Sequence, residues 1–264
     1  MSVSHGVPLA AIAEFLDTTL DLATIPDYPN ALNGVQVANT GPIARISAAV
    51  DFSSATVRET IAAGAKLLII HHGMFWSGAQ PVTGHRYERL RALLENDIAV
   101  YSAHLPLDVH PRLGNNALLA HRLGLTPSGG FVRYQTIDVG LSGSDEVPTR
   151  TLAEKAGELA REFRGTLVVT PFDATRVTRR WGICTGSGAD SASLREAARR
   201  GLDTLIVGEG PHHTAVEAAE LGIVVMYAGH YATETLGVRA LADEVVSHFG
   251  GDLSALFIDV PSGL

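Results

Sequence analysis

Short, wholly apolar runs, each preceded by a helical pattern, recur four times along the chain. Ser53 to Ala63 has helical spacing, Gly64 stops it, and Lys66-Leu-Leu-Ile-Ile70 follows as a strand. Tyr87 to Glu95, stopped at Asn96, leads into Ile98-Ala-Val-Tyr101. Ser191 to Arg200, stopped at Gly201, leads into Thr204-Leu-Ile-Val207, and His213 to Leu221, stopped at Gly222, into Ile223-Val-Val-Met-Tyr227. A helix followed by an unalternating β-branched run is the mark of a parallel sheet flanked by helices, whose strands are buried on both faces. Gly or Asn after each helix predicts a left-handed cap. Near the start, Leu9, Ile12, Phe15, Leu16 and Leu20 share one side of a further helix with Pro8 in its first turn. Phe131 to Leu141 and Gly165 to Thr170 read as strands, Thr151 to Phe163 as a helix, and Ser142 to Pro148 as a loop.

The four units align without gaps. Eight positions beyond each stop stand His72, His104, Glu209 and His230, polar residues just past the carboxyl end of a strand. That edge is where open α/β sheets build ligand sites. A longer repeat contains this one. His104 and Asp108 are each followed, 126 positions later, by His230 and Glu234, and Asp51-Phe-Ser-Ser-Ala is echoed by Gly188-Ala-Asp-Ser-Ala. The expectation is an α/β chain of two similar α/β domains, an internal duplication, with parallel or mixed sheets flanked by helices and a metal site between them. The join falls near Thr126-Pro-Ser-Gly-Gly130, giving domains of residues 1–126 and 127–264 whose boundary is open to intertwining.

Composition narrows the function classes. A net charge of −8 argues against non-specific binding to nucleic acid or an anionic membrane, both of which need clustered Lys and Arg. The single cysteine, Cys184, excludes an intrachain disulfide. The first twenty or so residues lack the basic region of a secretory leader, and no apolar run approaches the roughly 20 residues of a membrane span. A cytoplasmic protein is expected.

Histidines and carboxylates carry the chemistry. His71-His72-Gly73 ends an apolar strand, where a turn of the chain lets neighbouring imidazoles converge; two histidines satisfied at a sheet edge is the plain alternative. His104, Asp108 and His110 follow the next strand, where Pro106 argues for a loop rather than a helix. A carboxylate such as Asp108 can bridge two cations, although a polar turn is the simpler reading. A helix starting near His230 sets His230 and Glu234 one turn apart on one face, the spacing of a metal pair and also of an ordinary acidic helix start. Glu209, His212 and His213 lie in a loop entering a helix, with Thr214 as a possible cap, and suit exposed, supporting or acid/base roles. His5, His85, His121 and His248 carry no assigned role, and Thr185-Gly-Ser-Gly-Ala-Asp190 before a helix could hold an anion. The mixed nitrogen and oxygen donors suit Zn, Fe or Mn. Two such ions some 3.5–4 Å apart would generate a hydroxide near neutral pH.

These motifs together resemble the Nif-three-like dinuclear metal centre family, whose members are often named GTP cyclohydrolase I type 2 homologues. The resemblance rests on Asp51-x-Ser with Glu59, Gly64-Ala-Lys-Leu-Leu-Ile-Ile-His-His-Gly-Met-Phe-Trp76, Tyr101-Ser-Ala-His-Leu-Pro-Leu-Asp108, Gly114-Asn-Asn116 and Gly229-His-Tyr-Ala-Thr-Glu234. It runs from about Ile12 to Val246 and is closest to the short bacterial branch. Val207 stands before Gly208-Glu209 where many relatives carry Thr. The resemblance implies His71, His72, Asp108, His230 and Glu234 as ligands of two divalent metal ions per subunit, and a toroidal homohexamer. His104 and Glu209 are left as candidate catalytic or supporting residues. The function expected is a metal-dependent hydrolase that attacks a small substrate, a nucleotide or phosphoester, through a metal-bound hydroxide. A non-enzymatic metal-binding or metal-delivery protein, or a regulatory hexamer, is the alternative.

Overall fold

Six consecutive buried residues, Leu67–His72, form one strand, and unbroken burial is what a strand flanked by parallel neighbours requires. The computed structural model describes residues 6–251 and 253–264, so His5 lies outside the described residues. In chain order the elements begin α1 (Leu9–Thr19), β1 (Gly34–Val37), β2 (Arg45–Asp51), α2 (Ser54–Ala62), β3 (Leu67–His72), α3 (Gly84–Glu95) and β4 (Ala99–Ser102). They continue with α4 (Leu105–Asp108), α5 (Asn115–Leu123), β5 (Pro127–Tyr134), β6 (Ile137–Gly143), β7 (Val147–Pro148), α6 (Thr149–Glu162), β8 (Val168–Val169) and β9 (Val177–Thr178). Last come β10 (Trp181–Cys184), α7 (Ser191–Arg200), β11 (Thr204–Val207), α8 (His212–Glu220), β12 (Val224–Tyr227), α9 (His230–Phe249) and β13 (Ser254–Phe257). Among the described residues no helix is long and apolar enough to cross a membrane.

The described residues divide into two compact units. One holds the residues up to Leu107 together with Val238–Val260, and the other holds Asp108–Gly237 with Pro261–Leu264. Thr126-Pro127 therefore falls inside the second unit, at the start of β5.

The first unit is built on a five-stranded sheet in the order β1-β4-β3-β2-β13. Its last four members are parallel and β1 runs antiparallel on β4. Residues of β2, β3 and β4 meet Val57 of α2 and Leu93 of α3 in one apolar cluster. Ser53 caps α2 by accepting from the Thr56 N–H at 3.1 Å. From α1, Ile12 and Leu16 are fully buried, as their spacing predicts. The left-handed position after α3 is Asp97 (φ 52) and not Asn96 (φ −102). Its carboxylate compensates by accepting from the backbone N–H groups of Thr40 (2.7 Å) and Gly41 (2.8 Å). Gly64, Gly201 and Gly222 take the left-handed conformation as expected.

The second unit carries a six-stranded sheet in the order β5-β6-β10-β11-β12-β8, plus the β7–β9 pair. Here β10, β11 and β12 are parallel, while β6 and β8 join antiparallel at either side. The stretch Phe131 to Leu141 is a hairpin, with Gln135 turning at φ 47 between β5 and β6. The expected strand at 165–170 shrinks to Val168–Val169, and the loop at 142–148 holds the end of β6 and all of β7. Asp190 caps α7, accepting from Ser193 N at 2.6 Å. That carboxylate takes the helix start which the glycine-rich stretch 185–190 was expected to offer an anion. The two units share one core pattern, three parallel strands linked by two helices, which makes the whole a mixed α/β protein with parallel and antiparallel strands.

Candidate metal centre

In the first unit three imidazoles gather past the ends of β3 and β4. His71 and His72 are neighbours on β3, yet their ring centroids lie only 4.8 Å apart, and His71 lies 4.9 Å from His104. One nitrogen from each of the three rings lies within 4.8 Å of the other two. Every Nδ1 has an oxygen partner. His71 Nδ1 meets the Ala103 carbonyl at 2.8 Å, His72 Nδ1 meets Asp51 Oδ1 at 2.9 Å, and His104 Nδ1 meets Asp27 Oδ1 at 2.8 Å. A carbonyl only accepts, so Nδ1 of His71 carries the hydrogen, and in a neutral ring Nε2 keeps the lone pair. This is how metal-binding histidines are oriented. The strand register puts Asp51 of β2 directly beside His72 of β3.

The loop after β3 is fixed at Gly73. A Cβ there would fall on the Gln36 amide, whose Oε1 accepts from Met74 N at 2.8 Å and whose Nε2 donates to the Ala31 and Leu32 carbonyls, both at 3.0 Å. The loop delivers Trp76, 4.4 Å from the His104 ring and 5.1 Å from that of His72.

His104 precedes α4, a single helical turn rather than the loop expected from Pro106. Proline at the second residue of a helix loses nothing, because the first N–H groups have no partner within the helix. In the second unit Asp108, at the end of that turn, is buried, and its Oδ1 accepts from Asn115 Nδ2 at 2.8 Å. Asn115 Oδ1 in turn accepts from Gly237 N at 2.7 Å, and Asn116 Nδ2 donates to the Asp108 carbonyl at 3.3 Å. His110 is used differently: its Nδ1 accepts from the backbone of Arg112 (3.2 Å) and Leu113 (2.9 Å).

Also in the second unit, His230 and Glu234 share one face of α9, with Nε2 and Oε2 3.1 Å apart. Glu209 stands on the other side of the ring, its Oε1 2.7 Å from His230 Nδ1 and accepting from Ser187 Oγ at 3.1 Å. Gly186 crosses this group at φ 62, where a Cβ would strike Glu234 Oε1 and lie 3.3 Å from His230 Nε2. Burial pulls the His230 pKa down, but Glu234 and Glu209 outweigh it and lift it to about 9. A position flanked by two carboxylates that holds a proton so firmly also favours a metal cation. Cys184 takes no part as a thiolate, since burial and then the charges of Asp108 and Glu234 push its pKa far up.

His212 and His213 are exposed in the first turn of α8; Thr214 donates to the Pro211 carbonyl at 2.6 Å instead of accepting as a cap. His248 stacks on Phe15 at 4.0 Å, and His85 and His121 are exposed. Asp27 and Asn33 were not singled out from the sequence. The tract Asp27-x-x-x-x-x-Asn33-Gly34 carries no spacing that separates it from an ordinary turn. Within each unit the donor chemistry suits a divalent metal: His71, His72 and His104 in the first, each with an oxygen on Nδ1, and His230 with Glu234 in the second.

Burial would raise the Asp27 pKa, but hydrogen bonds and charge from His104, with Asn33 and Tyr28, bring it below the usual aspartate value. A depressed carboxyl stabilises the fold above its unfolded pKa, and that contribution disappears as pH falls through the folded one. Asp27→Asn is therefore expected to be less stable than the parent at pH near 7, with the gap closing below about pH 4. Urea unfolding at both pH values checks this; a gap independent of pH would refute it.

Residues 7–262 match the sequence pattern of the Duf34/NIF3 (NGG1p interacting factor 3) family. A protein of Deinococcus radiodurans named GTP cyclohydrolase 1 type 2 homolog is 37% identical over 96% of this chain and 93% of its own length. One of the same name from Halobacterium salinarum is 42% identical over 92% of this chain and 96% of its own. Among solved structures, TTHA1606 from Thermus thermophilus is 32% identical and superposes with a TM-score of 0.81, covering 98% of this chain and 100% of that one.

Proposed function

The chain belongs to the Duf34/NIF3 family, and on that premise we propose that it is a metal-dependent hydrolase of a small substrate, a nucleotide or phosphoester. His71, His72, Asp108, His230 and Glu234 would hold two divalent ions, Zn, Fe or Mn. The observation that carries this reading is the shared placement of the imidazoles, each with an oxygen acceptor on Nδ1. Ions held there would supply Lewis acidity and an activated water. The protein's own part is orientation. Asp51 and Glu209 fix the rings of His72 and His230, and Asn115 holds the Asp108 carboxylate by one oxygen. His104 stands beside His71 and His72 as the candidate for proton handling, and Glu209 acts on the opposite side of His230. The proposal extends to a cytoplasmic homohexamer, which sedimentation of the purified protein would check.

The test is the metal content of protein purified without a metal-affinity tag. About two ions per chain are expected, with both His71→Ala and Glu234→Ala strongly depleted while still folded. Metal unchanged in both variants would remove the site. Loaded protein inert on nucleotide, phosphodiester and cyclic-amide panels would remove the hydrolase reading and leave metal binding.

A further inference from the structure

Asp27 lies 77 positions before His104 in the sequence and meets it in the fold. Its carboxylate is 7% exposed and receives four groups. Oδ1 takes the Tyr28 N–H (2.6 Å) and His104 Nδ1 (2.8 Å); Oδ2 takes Asn33 Nδ2 and the Leu105 N–H, both at 2.8 Å. Asn33 completes the circuit by accepting from His104 N at 2.8 Å. Backbone and ring of His104 are thus held by the same pair of side chains.

Hydrogen counting decides what this clamp does. Three of the four partners of Asp27 can only donate, and this crowd of donors favours the ionised carboxylate, which can only accept. Nδ1 of His104 must then supply the fourth hydrogen. In a neutral imidazole that leaves the lone pair on Nε2. The Asp51 side chain that faces His72 is 40% exposed and that of Glu209 facing His230 is 36% exposed, so water competes for both. Asp27 is shielded from that competition. Trp76 packs against the His104 ring at 4.4 Å and limits its rotation.

We infer that Asp27, with Asn33, is a positioning residue that locks His104 as its Nδ1–H tautomer, leaving Nε2 as a fixed acceptor beside the His71–His72 cluster. This rests on reading that cluster as the working site, and it adds a chemical requirement. Apart from a metal ion, what binds against His104 Nε2 must offer a hydrogen there, from an amide, amino or hydroxyl group or from water. A group that can only accept is turned away.

Histidine-selective ¹⁵N labelling of the metal-stripped full chain reads the tautomer, with His104 identified by the signals missing from His104→Gln. The parent at mildly alkaline pH is expected to show a protonated Nδ1 and a bare Nε2 on this ring. In Asp27→Asn the amide can donate to Nδ1, so loss of that pattern and appearance of Nε2–H is expected. An Nε2–H or doubly protonated ring in the parent overturns the inference, as does a variant ring indistinguishable from the parent's. Should Asp27→Asn fail to fold, the parent spectrum decides alone. The spectrum is taken without metal, so it stands or falls separately from the metal content that tests the proposed function.

Discussion

Gly186→Ala is expected to cut metal affinity by about 10–100-fold, the loss typical when the support of a ligand is disturbed. Two effects act together. At φ 62 an alanine pays the left-handed penalty of roughly 1–2 kcal/mol. The added carbon also falls on Glu234 Oε1, and Glu234 is only 3% exposed, so its carboxylate has little room to retreat. The neighbouring loop is anchored on the same residue, since Gly186 N donates to Thr233 Oγ1 at 3.1 Å and its carbonyl accepts from Glu209 N at 2.8 Å. A methyl group with no donor or charge would thus disturb two of the five proposed ligands, Glu234 and His230. Metal content and urea unfolding, run side by side, separate site damage from general destabilisation. Full metal occupancy in the folded variant would show that Glu234 is no ligand.

The largest loss of stability is expected from Trp181→Ala, about 3–5 kcal/mol, against a usual domain stability of roughly 5–15 kcal/mol. Trp181 is fully buried on β10, and its Nε1 donates to Asp145 Oδ2 at 2.8 Å. Gly143, its partner on β6, has no side chain because the indole fills that space. Alanine would leave a cavity over Gly143 and would remove the donor from Asp145, which also accepts from Thr126 N at 3.1 Å. Trp181→Phe should cost clearly less, because it keeps most of the ring. Urea midpoints of the two variants check the order; an alanine cost under about 1 kcal/mol would mean that the strand repacks freely.

The parallel cores were legible because each helix ends at a stop and each strand is built around an unbroken apolar run. The positions of His72, His104, Glu209 and His230 were legible for a related reason, each standing eight residues past one of those stops, and Asp108 and Glu234 by their repeat at 126 positions. What spacing cannot reveal is the partner of each imidazole. Ala103 contributes a carbonyl, which no side-chain pattern records, and Asp27 reaches His104 across a long stretch of chain. Asn96 misled because Asn and Asp both tolerate positive φ, and here Asp97 gains two backbone hydrogen bonds by taking it. Pro106 misled because proline breaks a helix only in its interior. The antiparallel additions β1 and β8 are short, and too few residues show alternation for it to rise above their surroundings.

Pairing of β13 with β2 joins Arg45 to Ser254, so the sheet of the first unit is completed only by residues made some two hundred positions later. During synthesis the opposite is true of the second unit, whose main segment Asp108–Gly237 is continuous and can fold as it emerges from the ribosome. Until 254–257 arrive, the nascent protein carries β2 as an open edge with five consecutive buried positions and no partner on that side. An unpaired edge of that kind is open to mispairing with another strand.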